Sequence, residues 1–297
     1  MNKTYRVYIF GAGQAGQAAL SYLKDQEVLG FLDNSSPHIG QKILGKNVYR
    51  PEIITEQSFD FVYIASEFFE QIKSQLMDKL SIPENKIRIV PAFGIKPFHF
   101  ESNIDSRKIS EKILGYICCK LDQVSALYYV DAGTLLGTFR DKELIPWDDD
   151  LDFALLDESL ELVTREMTSI LQGLEKITGC EWLANEYYSS FDYNSVKKGD
   201  IRSIKLTPFN RASLLPSIDL FIKYISGNTM DYVLASRGIS MPSKHIRNTI
   251  LYEFKAYKLR IPSDTEGYLE EHYGEDWRTP MKNWNLSMLN SATLIDE

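Results

Sequence analysis

Four acids crowd one short stretch of the chain, Asp148, Asp149, Asp150 and Asp152, and a Gly133-Thr134 turn precedes them in the run DAGTLLGTFRDKELIPWDDDLDF, residues 131–153. In Asp150-Leu151-Asp152-Phe153 acid alternates with apolar residue. On a β-strand that alternation puts both carboxylates on one face and both apolar side chains on the other. Two carboxylates converging from one strand can hold Mg²⁺ or Mn²⁺, the kind of cation that phosphate chemistry most often needs. Asp219 lies far along the chain in an apolar, β-rich stretch, residues 217–225. An acid is costly to bury there unless a cation or partner meets it. Asp219 is therefore the expected third ligand and would also suit a base for an acceptor hydroxyl; a strand acid facing solvent is the alternative. The expected catalytic and metal-binding set is Asp150, Asp152 and Asp219.

The expected substrate contacts are Gly133, Thr134, Arg140 and Asp149. Gly133 lets the backbone approach a phosphate, and the Thr134 hydroxyl could donate to a phosphate oxygen. Consecutive acids repel unless a cation or base is near. Arg140 answers that need either as a fork for phosphate oxygens or as a salt bridge to the acid run. Asp131 is expected to anchor the turn, and Trp147, beside Pro146, to pack it.

The elements that must position these residues follow from periodicity. A helix is expected over about 105–121, with Asp105 as N-cap and Ile109, Ile113, Leu114, Ile117 and Leu121 at helical spacing. A short buried strand, 126–130, delivers Asp131. Helical patterns are also expected over 234–241 and 244–257, carrying Arg237, Lys244, His245 and Arg247, a basic face that suits solvent better than phosphate. Tyr187, Tyr188, Phe191 and Tyr193 are expected in a loop, packing on the domain rather than stacking on a sugar or boxing a quaternary ammonium.

The chain opens differently. An apolar strand, 5–10, feeds Gly11-Ala12-Gly13-Gln14-Ala15-Gly16, then a helical pattern, then a second strand, 28–32, ending at Asp33. This order of strand, Gly-rich turn, helix, strand and acid is the dinucleotide-binding layout. Gly11, Gly13, Gly16 and Asp33 are the expected cofactor-binding residues. A strand at 61–65, a helix over 67–80 and a strand at 87–90 complete about half of a doubly wound sheet. Pro91, Gly94 and Pro97 mark its end, so two domains are expected, 1–97 and 98–297.

The bulk numbers set limits. At 297 residues the chain has room for two domains, and 44% hydrophobic with 25% charged residues is ordinary globular composition. A net charge of -8 argues against nucleic-acid binding, which needs basic surface. No apolar run approaches the roughly 20 residues that span a bilayer, and no signal-peptide layout opens the chain. Three cysteines make neither a disulfide framework nor a zinc site and read as buried helix residues of a reducing cytoplasm.

Two resemblances add to this. Gly30-Phe31-Leu32-Asp33-Asn34, with Ile43-Leu44-Gly45 and Val48, resembles the N-terminal domain of PglD-type sugar O-acyltransferases. That implies a nucleotide or nucleotide sugar as the ligand, beside the simpler reading of a scaffold. Asp131-x-Gly133-Thr134-Leu135-Leu136-Gly137, Arg140 and Ile145-Pro146-Trp147-Asp148-Asp149-Asp150-x-Asp152 resemble the LicD family, as do Ile218-Asp219-Leu220-Phe221 and Tyr273-Gly274-Glu275-Asp276-Trp277. That family groups bacterial phosphocholine transferases of surface glycans with fukutin-type phosphoribitol transferases. The resemblance implies a nucleotidyltransferase fold shared with DNA polymerase β. The expected fold class is thus α/β, a Rossmann-like half-domain followed by an α+β nucleotidyltransferase-fold domain. It also implies transfer of phosphocholine or a polyol phosphate from a CDP-linked donor to a glycan or lipid-linked glycan acceptor of capsule, lipopolysaccharide or teichoic acid, releasing CMP. The carboxylates alone leave open nucleotide transfer to a small molecule with pyrophosphate release, and the first domain leaves open a nucleotide-sugar-sensing regulator. The expected location is cytoplasmic, with association to the inner face of the membrane and a homo-oligomeric state both left open.

Overall fold

In β1 (Arg6–Phe10) every residue after Arg6 is buried, which a strand manages only when both faces of its sheet are covered. Val7 and Ile9 enter one cluster with Ala19, Leu23, Phe31 and Val48. Tyr8 and Phe10 enter another with Leu32, Ile54, Val62, Ile64 and Leu76. The computed structural model describes residues 3–34, 37–66, 68–91, 94–96, 98–101, 104–209 and 214–295. It divides into two units, 1–97 with 283–286 and 98–282 with 287–297.

The first unit continues with α1 (Gln14–Tyr22), β2 (Glu27–Leu32), β3 (Lys42–Ile43), β4 (Lys46–Tyr49), β5 (Phe61–Ile64), α2 (Phe69–Ser74) and β6 (Ile87–Ile89). The sheet order is β3-β4-β2-β1-β5-β6, and β1 runs parallel to both β2 and β5. Gly16 is required by close packing: a Cβ there would stand 1.9 Å from the Gly11 carbonyl oxygen. The helix expected from Glu67 is shorter than its pattern. Glu67 lies outside the described residues, α2 starts at Phe69, and a π-helical turn (Gln75–Lys79) replaces its second half. Pro97 also lies outside the described residues.

The second unit runs α3 (Ile104–Gln123), β7 (Tyr128–Val130), α4 (Ala132–Leu136), β8 (Asp150–Leu156), α5 (Leu160–Thr178), β9 (Trp182–Tyr188), β10 (Ile201–Pro208), β11 (Ser217–Ser226), β12 (Thr229–Leu234), β13 (Arg237–Pro242), α6 (Lys244–Arg247), β14 (Thr249–Phe254), β15 (Tyr257–Pro262), α7 (Thr265–Tyr273) and β16 (Ala292–Leu294). Its main sheet has the order β16-β13-β12-β11-β10-β9, with β8 pairing both β11 and β7. The pairing of β8 with β11 is parallel, and the others named are antiparallel. Leu151, Phe153 and Leu155 of β8 and Ile218, Leu220 and Ile222 of β11 are buried, each contributing about 1.5–3 kcal/mol by leaving water. Helices α3 and α5 pack on one another: the Tyr116 hydroxyl donates to the Ser169 and Ile170 carbonyls. Helix α5 ends at Gly179, whose φ of 70° is the left-handed stop of its C-cap.

Several expectations need correction. Residues 234–241 form a strand turn and β13, not a helix, because pairing with β12 and β16 uses the two-residue period of Ile239 and Met241. Residues 244–257 form only a short α6, then most of the β14–β15 hairpin. Tyr187 and Tyr188 belong to β9 rather than a loop. Asp105 lies inside the first turn of α3, one residue past its start, and residues 102 and 103 are outside the described set. Cys118 is buried as expected, but Cys119 is exposed and Cys180 lies beyond the end of α5. Among the described residues no helix is long and apolar enough to cross a membrane.

Candidate active site

The parallel register of β8 and β11 sets Asp150 opposite Ser217 and Asp152 opposite Asp219. Side chains directly paired across strands project from the same face. Carboxylate oxygens of Asp150, Asp152 and Asp219 accordingly lie within 4.8 Å of one another, and one oxygen each of Asp148, Asp149 and Asp150 meets the same limit. Asp152 is 6% exposed and Asp219 7%. Burial first, then the charges of Asp150, Asp148, Asp219 and Asp131, push the Asp152 carboxyl well above the usual carboxylate range. An oxygen-only cluster of one half-buried and two buried carboxylates, held within 4.8 Å of one another, fits a hard divalent cation such as Mg²⁺ or Mn²⁺. No thiol or imidazole joins either cluster among the described residues, so a zinc set is not suggested.

The turn ahead of the acids is built for close approach. Asp131 N-caps α4, its Oδ1 accepting from the Ala132 amide at 2.7 Å. Ala132 takes a φ of 44°, a left-handed conformation that costs a non-glycine residue about 1–3 kcal/mol and often marks functional sites. A Cβ on Gly133 would stand 2.2 Å from Asp148 Oδ2 and 3.8 Å from Asp152 Oδ2. Gly133→Ala is expected to leave the melting temperature nearly unchanged, since a flexible side chain can yield. The displaced Asp148 carboxylate should lower turnover on the order of 10²-fold. Wild-type turnover in Gly133→Ala would remove Asp148 from the working site.

Thr134 is placed by contacts to the backbone of β8. Its hydroxyl is buried; it accepts from the Asp152 amide at 2.8 Å and reaches the Asp150 carbonyl at 3.5 Å. It clamps α4 to β8 and so fixes both acids. Arg140 is likewise engaged, but not with the acid run. Its Nε and Nη2 donate to Asp141 at 2.8 and 2.7 Å, and Nη1 donates to the Trp277 carbonyl at 3.0 Å. Among the described residues the salt bridge to the acid run is not formed; Arg140 pairs with its neighbour Asp141 instead. Asp149 stands in the half-buried turn, its amide donating to Asp148 Oδ1 at 3.1 Å. The turn is held by the Phe100 amide on the Asp148 carbonyl, 2.9 Å, and the Glu101 amide on the Pro146 carbonyl, 2.7 Å.

Behind the acids lies a buried polar network that the sequence reading missed, apart from naming Asp131 as an anchor. Lys223 Nζ is 2.9 Å from Asp131 Oδ2, with the two side chains 0% and 2% exposed. The Tyr268 hydroxyl donates to Asp131 Oδ1. Burial pushes the Asp131 carboxyl up, but Lys223, His272 and the Tyr268 hydroxyl outweigh it and hold it below the usual range. Burial pulls His272 down to about 4, so its ring is neutral near pH 7. Lys205 was also missed: its Nζ is 2.7 Å from Asp219 Oδ2. The one signal available was its position in an alternating β-strand, which cannot say what stands on the next strand.

The basic residues expected on one C-terminal helical face are dispersed, with Arg237 on β13, Lys244 and His245 on α6, and Arg247 exposed at the end of α6. Arg237 and His245 are buried, Lys244 pairs with Asp264 at 3.0 Å, and His245 meets Glu271 at 2.9 Å. Tyr193 fills the space over Gly238, where a Cβ would stand 2.2 Å from its ring, which is a packing role. In the first unit, Gly13 N-caps α1 with nothing within 4 Å of a Cβ built there. Asp33 Oδ2 accepts from the Ala12 amide at 2.9 Å, so the acid caps the Gly-rich turn.

Residues 125–264 match the family described as LicD/FKTN/FKRP, nucleotidyltransferase domain. Residues 3–88 match a C2185-like N-terminal family. The human ribitol-5-phosphate transferase FKTN is 22% identical over 184 residues, covering 60% of this chain and 35% of that protein. An uncharacterized Rickettsia prowazekii protein is 28% identical over 155 residues, covering 50% of this chain and 47% of that one. The chain thus spans only about a third to a half of the length of these relatives. A solved UDP-D-quinovosamine 4-dehydrogenase from Vibrio fischeri is 20% identical over 29% of this chain and 76% of its own, at a TM-score of 0.23, too low to carry any conclusion. Residues 125–264 are therefore the part of this chain that is similar to LicD-type proteins, and they contain the acid cluster from Asp148 to Asp219.

Proposed function

We propose that the second unit transfers a phospho-alcohol, phosphocholine or a polyol phosphate, from a CDP-linked donor to a hydroxyl of a glycan or glycan precursor, releasing CMP. The observation that carries this reading is the convergence of Asp150, Asp152 and Asp219 beside the Gly133 turn, inside the segment that matches the LicD description. The parallel pair β8–β11 with a Gly-containing turn before it is the arrangement a nucleotidyltransferase fold would use. Asp150, Asp152 and Asp219 would hold Mg²⁺ or Mn²⁺. When bound, such an ion neutralises phosphate charge and lowers the pKa of a coordinated hydroxyl.

The chain's own residues supply position. Thr134 and the Asp131 cap hold α4 against β8, so the two strand acids cannot drift. Gly133 keeps the backbone low enough for Asp148 to lean over the cluster. In such a site catalysis is mostly alignment and charge compensation. In the first unit, the open space before Gly13 is where a phosphate of a nucleotide or nucleotide sugar would meet the α1 N-terminus.

The test is product analysis. The chain is incubated with Mg²⁺, a panel of CDP-linked alcohols and a glycan acceptor, and nucleotide products are separated. CMP appearing in step with acceptor modification is the expected result. Pyrophosphate release from a nucleoside triphosphate instead would replace this reading with nucleotide transfer.

A further inference from the structure

Four neighbouring strands place one row of side chains on the face that carries the acids. Asp152 of β8 is opposite Asp219 of β11, Asp219 is opposite Lys205 of β10, and Lys205 is opposite Asn185 of β9. Burial falls along this row: Asp152 is buried, the side chains of Asp219 and Lys205 are 10% and 27% exposed, and Asn185 is exposed. Lys205 therefore stands at the solvent-facing end of the acid cluster, with its ammonium 2.7 Å from Asp219 Oδ2.

The charge pattern gives this lysine two uses. Three carboxylates against one ammonium leave an excess of negative charge, and a divalent cation on the three acids would weaken the hold of Asp219 on Lys205. An ammonium is a compact charge with three donors on a flexible stem. It can keep or loosen its contact with Asp219 while donating to an anion that arrives from solvent. An anion seated over Asp150, Asp152 and Asp219 would lie near this ammonium, which already stands 2.7 Å from Asp219 Oδ2.

We propose that Lys205 binds the diphosphate of the incoming donor, exchanging part of its contact with Asp219 for a phosphate oxygen as the acid cluster is neutralised. This rests on the reading of the second unit as a phosphate-group transferase and adds to it a named diphosphate ligand outside the acid set. Arg140, the cation expected for this task from sequence, is occupied by Asp141 and Trp277.

The experiment is calorimetric and uses the whole chain as wild type, Lys205→Met and Lys205→Arg. Mg²⁺ alone is titrated first, then inorganic pyrophosphate at saturating Mg²⁺, then CDP. Removing a positive charge beside the acids should tighten Mg²⁺ binding of Lys205→Met by about tenfold. The same substitution should weaken pyrophosphate on the order of 10- to 100-fold, and Lys205→Arg should recover most of that loss. A lysine that serves only to neutralise Asp219 would shift Mg²⁺ affinity and leave pyrophosphate untouched. Equal pyrophosphate affinity in wild type and Lys205→Met therefore overturns the assignment, whatever happens to Mg²⁺. Pyrophosphate reads the diphosphate contact without the nucleoside. Loss of its binding in Lys205→Met upholds the proposal even where CDP fails to bind, which would count against the CDP-linked donor alone.

Discussion

Asp152→Asn lowers transfer on the order of 10³-fold while the folded state holds or gains stability. The two halves of that result have separate causes. Burial first, and then the charges of Asp150, Asp148 and Asp219, push the Asp152 carboxyl well above the usual range. An amide of the same shape removes that repulsion and keeps the packing, so a thermal melt without added metal should show an equal or higher midpoint. The lost charge is one a divalent cation would need. In wild type, Mg²⁺ at about 100 times its Kd should add about 2.7 kcal/mol of stability, and in the variant that gain should shrink or vanish. Asp150→Asn should behave alike in transfer, with a smaller change in the melt because that acid is only half-buried. Full transfer by either variant would sink the metal-site reading, and a collapsed melt would mean the acids serve the fold instead.

Lys223→Met destabilises the chain by about 3–5 kcal/mol, the usual cost of stranding one partner of a buried ion pair. Lys223 is 0% exposed, and Asp131 Oδ2 lies 2.9 Å from its Nζ. Methionine fills much of the same volume, so packing loss is small, and the cost is the Asp131 carboxylate left among Tyr129, Tyr232 and Tyr268. Asp131→Asn in the same chain should recover much of the loss, because asparagine still caps the Ala132 amide while bringing no charge. Urea denaturation of the two single variants and the double variant gives the coupling directly. Additive losses would mean that the two charges do not sense one another. Because Asp131 also sets the start of α4, the pair ties the stability of the second unit to the placement of Gly133 and Thr134.

How much of this could be read beforehand depends on the range of each interaction. β1, its Gly-rich turn and α1 were legible because burial on both faces, a tight turn and helical spacing are local signals. The strand at Asp150 was legible for the same reason. Residues 234–257 were misread because short apolar runs fit periods of 3.6 and 2 almost equally, and sheet neighbours decided between them. Arg140 shows the limit at side-chain level: its type suited a phosphate, but an adjacent acid and a carbonyl distant in sequence took its donors.

The sequence by itself determined that Asp150 and Asp152 share a face, since a strand alternates whatever lies beside it. It also placed a Gly-Thr turn shortly ahead of those acids, at Gly133 and Thr134. Asp219 was expected as the third acid from its apolar setting, but only the tertiary structure supplies the β8–β11 register that sets it opposite Asp152. The tertiary structure alone placed Lys205 against Asp219 and Lys223 against Asp131. Those partners come from strands and helices separated along the chain. Their meeting is fixed by pairing and burial across the whole unit, which no local pattern of residues encodes.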